Sequence, residues 1–250
     1  VRLVRAEVLK LVRRRGLMIW SLLLTLGSVL VAEIVLVTLH AVNGSKHGPA
    51  GGVENFKGVV LLLTGLGTVA AIIIGATAGT QDVSNGVFRD LVVTGRKRST
   101  LFNVRVPGAL IVFIPMLAIG FAVTTFMSYA FAGSLPSPSA SIVAKYAEYA
   151  VADSIVNIVI AVGLAAFASS RVVVGVLIAW NAIVSQLLIS IRVLGGSRKA
   201  IDVAAAEHFL PRSAGNNTIA MSTGTALLVL LIWVGVFSWA GRWWTNRVDA

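Results

Sequence analysis

The 250 residues carry 21 Lys and Arg against 10 Asp and Glu, a net charge of +11, and are 57% hydrophobic with no cysteine. A mean hydropathy of +0.89 excludes an ordinary soluble domain, and the missing cysteine excludes disulfides, thiol catalysis and thiolate metal sites. A basic balance of this size would suggest nucleic acid in a soluble protein, but here the cations gather at the ends of apolar runs, so no nucleic-acid partner is expected.

Residues 1–16 predict an amphipathic helix. Val1, Val4, Val8, Leu11 and Val12 share one face, and Arg2, Lys10, Arg13 and Arg14 gather opposite, the pattern of a helix lying in a membrane interface with its cations on anionic head groups. Six apolar runs follow, near 17–39, 58–79, 106–131, 150–168, 172–191 and 224–241. A helix needs about 20 apolar residues to cross the ~30 Å hydrocarbon core, and only helices or closed barrels satisfy their backbone polar groups there. The expected fold is therefore all-α and integral to the membrane: an interfacial helix and then one six-span domain over 17–250. The polar stretches between the runs are too short for a second core. The first run is too long for a signal h-region and lacks a cleavage site after it, so it is expected to stay as a span.

The loop at 40–57, with four glycines and Pro49, predicts irregular structure. Pro107 and Pro115 fall in the third run, where a kink is expected. Pro136 and Pro138 mark a turn, and Ser169-Ser170-Arg171 predicts a tight hairpin between the fourth and fifth spans. In the long loop at 192–223, Ala200 to Leu210 predicts one short helix ended by Pro211, Gly215 and Asn216-Asn217. With the N-terminus inside, 14 Lys and Arg lie on the inner side and 7 on the outer, which favours cytoplasmic termini. No strict internal repeat supports an inverted-repeat carrier.

The segment 80–105 is the most specific part of the chain. Asp82 or Ser84 is a candidate N-cap and Gly95 a candidate stop followed by basic residues. Between them Val83, Val87 and Leu91 recur at helical spacing beside Phe88 and Val92, giving a short helix with one apolar face suited to a partner's groove.

At this point the chain resembles the permease subunits of the ABC-2 family of ABC transporters, the type V exporter fold. The likeness rests on a basic amphipathic helix, a span, an outer loop and a second span ending in Gly75-Ala76-Thr77-Ala78-Gly79. An acidic residue, a Gly-containing short helix, a Thr-Gly with a basic pair and the third span follow. In layout it covers nearly the whole chain; its specific part is about 20 residues long. The family pattern has Glu where this chain has Asp82, and Thr after the glycine where it has Val87.

The resemblance implies that 80–105 is a coupling segment, with Asp82, Ser84, Gly86, Val87, Phe88, Arg89 and Leu91 as the ATPase-coupling interface. Phe88 and Leu91 would dock, and Asp82 would cap the helix or face an ATPase cation. It also implies two ATPase subunits, a second permease, identical or homologous, and the plasma membrane of a bacterium. This chain has no G-x-x-x-x-G-K-[ST] sequence, so ATP and magnesium would be bound by the partner, with no cofactor and no catalytic residue in this chain.

Within the spans, Glu33 is expected to pair with Arg192, to snorkel outward, or to contact substrate. Asn157, Asn181 and Gln186 are expected to bond between helices or to line a translocation surface. Glu148 and Asp153 are expected to pair with Lys145 at the start of the fourth span. Trp180 reads as packing, and Trp239, Trp243 and Trp244 as an interfacial belt with Arg242 and Arg247. His40, His47 and His208 are scattered without ligand spacing, so no metal site is expected, and no Ser/His/Asp grouping suggests a hydrolase. Two other readings stand beside the exporter: an ion-coupled secondary carrier using Glu33, and a structural or immunity component without transport.

Overall fold

A computed structural model describes residues 2–210 and 219–247. Within them the chain is helical, and six helices are long and apolar enough to cross a membrane: Arg15–Val42, Val53–Ser84, Arg98–Ala130, Ala140–Leu164, Ser170–Ser190 and Thr223–Arg247. The protein is an all-α, multi-pass membrane protein. Each span coincides with an apolar run, but the ends differ from expectation. The second span begins earlier and runs on through Ser84. The fourth begins at Ala140 because Ser139, just after Pro138, caps it: its hydroxyl accepts from the Ile142 N–H at 3.4 Å. The third passes through Pro115 without a break, while Pro107 sits in the first turn of its long segment, where its missing N–H costs nothing. Val1 and the expected stop at Pro211, Gly215 and Asn216-Asn217 lie outside the described residues, as does Arg212.

The second and fourth spans form the centre. In each, 61% of the most apolar stretch is buried within the protein, against 17% in the first and fifth spans. The small-residue stretch brings them together. A Cβ on Gly75 would stand 2.9 Å from the Ile158 carbonyl oxygen and from the Ala161 Cβ, so this helix pair approaches as closely as a small-residue interface in lipid requires. The sixth span meets the fourth in the same way: a Cβ on Gly163 would lie 2.5 Å from the Phe237 carbonyl oxygen. The first and fifth spans lean on this core and turn Ile19, Trp20, Val31 and Ile34, and Val172, Val176, Ile183 and Leu187, outward. These are lipid-facing surfaces by composition. Both peripheral helices contain one π turn, at Leu23–Gly27 and Trp180–Val184.

The two ends of the bundle differ. At the basic end lie the N-terminal helix Arg2–Val12, a short helix Val87–Val93 and the tight connection between Leu164 and Ser170. At the opposite end the loop before Val53 is tied to the turn after the third span by Gly51 N–H to Phe131 O (2.8 Å) and Val53 N–H to Pro136 O (2.9 Å). There too a 3-10 stretch, Arg192–Ala200, leads into a short helix, Asp202–Glu207, inside the expected segment. Trp239, Trp243 and Trp244 are exposed near the end of the sixth span, and the Arg247 guanidinium lies 4.2 Å from the Trp243 ring centre.

Candidate functional site

Two polar clusters join the helices of the bundle. The first is at the basic end. The N-terminal helix docks on the third span with Glu7 and Leu11 buried, and the Glu7 Cβ occupies the notch left by Gly108. Lys10 Nζ donates to Glu7 Oε1 at 2.5 Å and to Asp82 Oδ1 at 2.6 Å. Arg105, 1% exposed, brings Nη2 to 3.8 Å from Asp82 Oδ2, and its guanidinium carbon stands 5.9 Å from the Phe88 ring centre. Two acids and two bases thus form one charge-balanced group, buried except at half-buried Lys10, joining the N-terminal helix to the second and third spans. The pair at 3.8 Å is loose: Asp82 Oδ2, Arg105 Nε and Arg105 Nη2 make no hydrogen bond. Burial outweighs the pull of Lys10 and pushes the Glu7 carboxyl above its ordinary 4.5.

This arrangement corrects three expectations. Asp82 does not cap the short helix; the second span continues past it, and it is 3% exposed, turned onto Lys10 and Arg105. Ser84 is not the cap either, since its hydroxyl donates to the Gln81 carbonyl at 3.1 Å and it ends the same span. The joint is Asn85-Gly86, where Gly86 takes φ 71, a left-handed conformation that disfavours a side chain. Nor does Lys10 reach toward head groups; it turns inward onto Asp82. Of the remaining interface candidates, Phe88 is buried at 6%, Leu91 is half-buried, and Gly86, Val87 and Arg89 are exposed. Phe88 therefore anchors the short helix to its own bundle. The outward apolar residues are Val83, Val87 and Val93.

The second cluster lies within the spans. Asp153 is buried on the fourth span, not paired with Lys145, which is exposed, as is Glu148. Asp153 Oδ2 lies 2.5 Å from the Thr68 hydroxyl of the second span, and its Oδ1 accepts from Asn157 Nδ2 at 3.2 Å. Asn157 Oδ1 in turn accepts from Asn181 Nδ2 at 3.0 Å, with Asn181 on the π turn of the fifth span. The expectation that Asn157 and Asn181 bond between helices is met. Gln186 is exposed and donates to Glu207 Oε1 at 3.3 Å. Trp180 packs against Trp233 and donates to Asp202 Oδ1 at 2.9 Å. Burial pushes the Asp202 and Glu207 carboxyls above their ordinary range.

Glu33 is buried at 4%, but the expected pair does not form: Arg192 is exposed and no cation lies within 4 Å of Glu33 among the described residues. A groove of about 520 Å³ opens between the fourth and sixth spans beside Phe209, with apolar walls and Glu148 as its one acidic residue. Among the described residues no three His, Asp or Glu side chains gather as metal ligands would.

Sequence reasoning missed Glu7, Arg105, Thr68 and Asp153 as members of these clusters. Two signals were present. Glu7 stands at helical spacing between Val4 and Leu11, on the apolar side of its helix, and Asp153 precedes Asn157 by one turn. For Arg105 and Thr68 the partners lie on other helices, and no local pattern names them. No protein-family model matches this chain, and no curated protein matches it.

Proposed function

We infer that this chain is the membrane-spanning permease subunit of an ATP-driven exporter of the ABC-2 layout, in a bacterial plasma membrane with both termini inside. One observation carries the reading. Between the second and third spans a short helix, Val87–Val93, sits at the end that also holds the basic N-terminal helix, and Val83, Val87 and Val93 face outward there. An apolar patch on a short helix at a membrane surface suits insertion into a partner's groove. In this reading the partners are two ATPase subunits, which bind ATP and magnesium, and a second permease. ATP-driven closure of the ATPases pushes on the short helices. Phe88 fixes that helix beside Arg105, so the push reaches the second and third spans, and substrate moves outward.

The test is purification of the tagged chain in mild detergent from its native membrane, with mass spectrometry of what co-elutes. A P-loop ATPase in stoichiometric amount, lost on Val87→Asp while the permease stays folded, supports the reading. A folded chain that elutes alone overturns it. Phe88→Asp is unsuited to this test, because it places a charge in a buried site and attacks the fold itself.

An ion-coupled secondary carrier is the competing reading, favoured by Glu33, buried and with no cation within 4 Å among the described residues. It requires transport that survives ATP depletion and is abolished by Glu33→Gln.

A further inference from the structure

We propose that Asp153 is a proton-binding site at the junction of the second, fourth and fifth spans, a buried carboxyl hydrogen-bonded to Thr68 and Asn157 with no cation within 4 Å among the described residues. The missing counter-charge carries this, and the hydrogen bonds accommodate the proton. Thr68 Oγ1 has two oxygens in reach, Asp153 Oδ2 at 2.5 Å and the Thr64 carbonyl at 2.9 Å. A hydroxyl has one proton, and a backbone carbonyl has none to give. If Thr68 donates to Thr64, Oδ2 must be the donor, and the acid carries the proton. Every group is then satisfied: Asp153 donates to Thr68, Thr68 donates to Thr64, and Asn157 Nδ2 donates to Asp153 Oδ1 at 3.2 Å.

The ionised alternative leaves the carboxylate with two donors and no counter-charge. No Lys, Arg or His nitrogen lies within 4 Å of Asp153 among the described residues. The titratable groups bearing on it are Tyr149 on its own helix and Asp202 and Glu207 on the short helix at the opposite end, two of them acids that repel a carboxylate. The second span offers Thr68 and the fifth offers Asn181 through Asn157, neither of which titrates. An unpaired carboxylate among apolar spans is costly, and protonation removes the cost.

The exchange is simple. On release the proton leaves Oδ2 for water, the Thr68 hydroxyl turns from the Thr64 carbonyl to the carboxylate, and Asn157 keeps its bond to Oδ1. The second and fourth spans then meet across a charge. Because Asn157 also holds Asn181, the change is felt at the π turn of the fifth span. The site is independent of the exporter reading and holds under either mode of transport.

The test is infrared difference spectroscopy on the full-length protein in lipid nanodiscs at neutral pH. The C=O stretch of a protonated carboxyl lies clear of the amide band and of ionised carboxylates. The expected result is such a band in the wild-type protein, lost in Asp153→Asn and kept in Glu33→Gln, which controls for the buried acid of the first span. Should Asp153→Asn fold poorly, Thr68→Val serves: it keeps the acid but removes its acceptor, and the band should shift to higher frequency. No protonated-carboxyl band, a band lost only in Glu33→Gln, or a band unmoved in folded Thr68→Val would overturn the proposal.

Discussion

Asp82→Asn is the most informative change at the basic end. The substitution keeps the shape of the side chain and removes the charge that Lys10 meets at 2.6 Å and Arg105 at 3.8 Å. Glu7 then remains as the one acid against two bases. Lys10, with 29% of its side chain exposed, can turn partly to water, so its loss is small. Arg105, with 1% exposed, cannot, and removing one partner of a buried ion pair costs about 3–5 kcal/mol. The looseness of the 3.8 Å pair puts the expectation at the lower end, about 3 kcal/mol. Arg105→Leu should be costly for the mirror reason. The double variant, which leaves no orphaned charge on this pair, should be more stable than the sum of the two losses by at least about 1.5 kcal/mol, within the range of coupling seen for contacting residues. The assay is equilibrium unfolding in mixed detergent micelles, followed by tryptophan fluorescence. Losses that add to within about 0.5 kcal/mol, the margin for independent sites, would refute the claim that the cluster acts as one unit.

Glu7 adds a pH dependence. Its carboxyl is pushed above the ordinary 4.5 by burial, so the folded protein holds that proton more tightly than the unfolded chain. The stability it contributes is fully present below about pH 4.5 and is lost as pH rises through the folded value. Glu7→Gln should therefore gain on the wild-type Tm as pH is raised across that window; a wild-type protein that gains instead would contradict the assignment. Gly163→Val should separate the fourth and sixth spans, because a Cβ there meets the Phe237 carbonyl oxygen at 2.5 Å; overpacking costs about 1–3 kcal/mol, read as a lower Tm, and an unchanged Tm would refute the close contact. Gly86→Ala should cost about 1–2 kcal/mol, because φ is 71 and nothing else crowds the site; equal stability would mean the joint is not left-handed.

The spans were legible because lipid leaves a chain few options: twenty apolar residues in a row must be a helix. The basic N-terminal helix was legible for the same reason, through its spacing. What was not legible is where a helix stops once it leaves the hydrocarbon. Asp82 and Ser84 look like caps, and nothing local says that Lys10 and Arg105 will neutralise Asp82 and let the second span run on to Asn85-Gly86. The fourth span posed the reverse problem. Its first ten residues, with Lys145 and Glu148, are too polar to read as a span, so Asp153 seemed to sit at an edge when it lies well inside the helix. Asn157 and Asn181 were legible as interhelical bonds because an amide within a span has few other uses. The two clusters themselves are tertiary facts, assembled from helices far apart in sequence.

The second span is 32 residues long, which at about 1.5 Å per residue makes a rod of roughly 48 Å. The hydrocarbon core is about 30 Å thick. Its apolar stretch is bounded by Lys57 at one end and Gln81-Asp82 at the other, so the surplus length stands as polar stubs in the head-group layers. The charged cluster on Asp82 therefore lies at the depth where lipid phosphates and water begin. A thicker bilayer would draw that cluster toward hydrocarbon, and a thinner one would tilt the rod. One of the two central helices of the bundle is thus also its ruler, and the short helix beyond Gly86 is fixed to the graduated end of it.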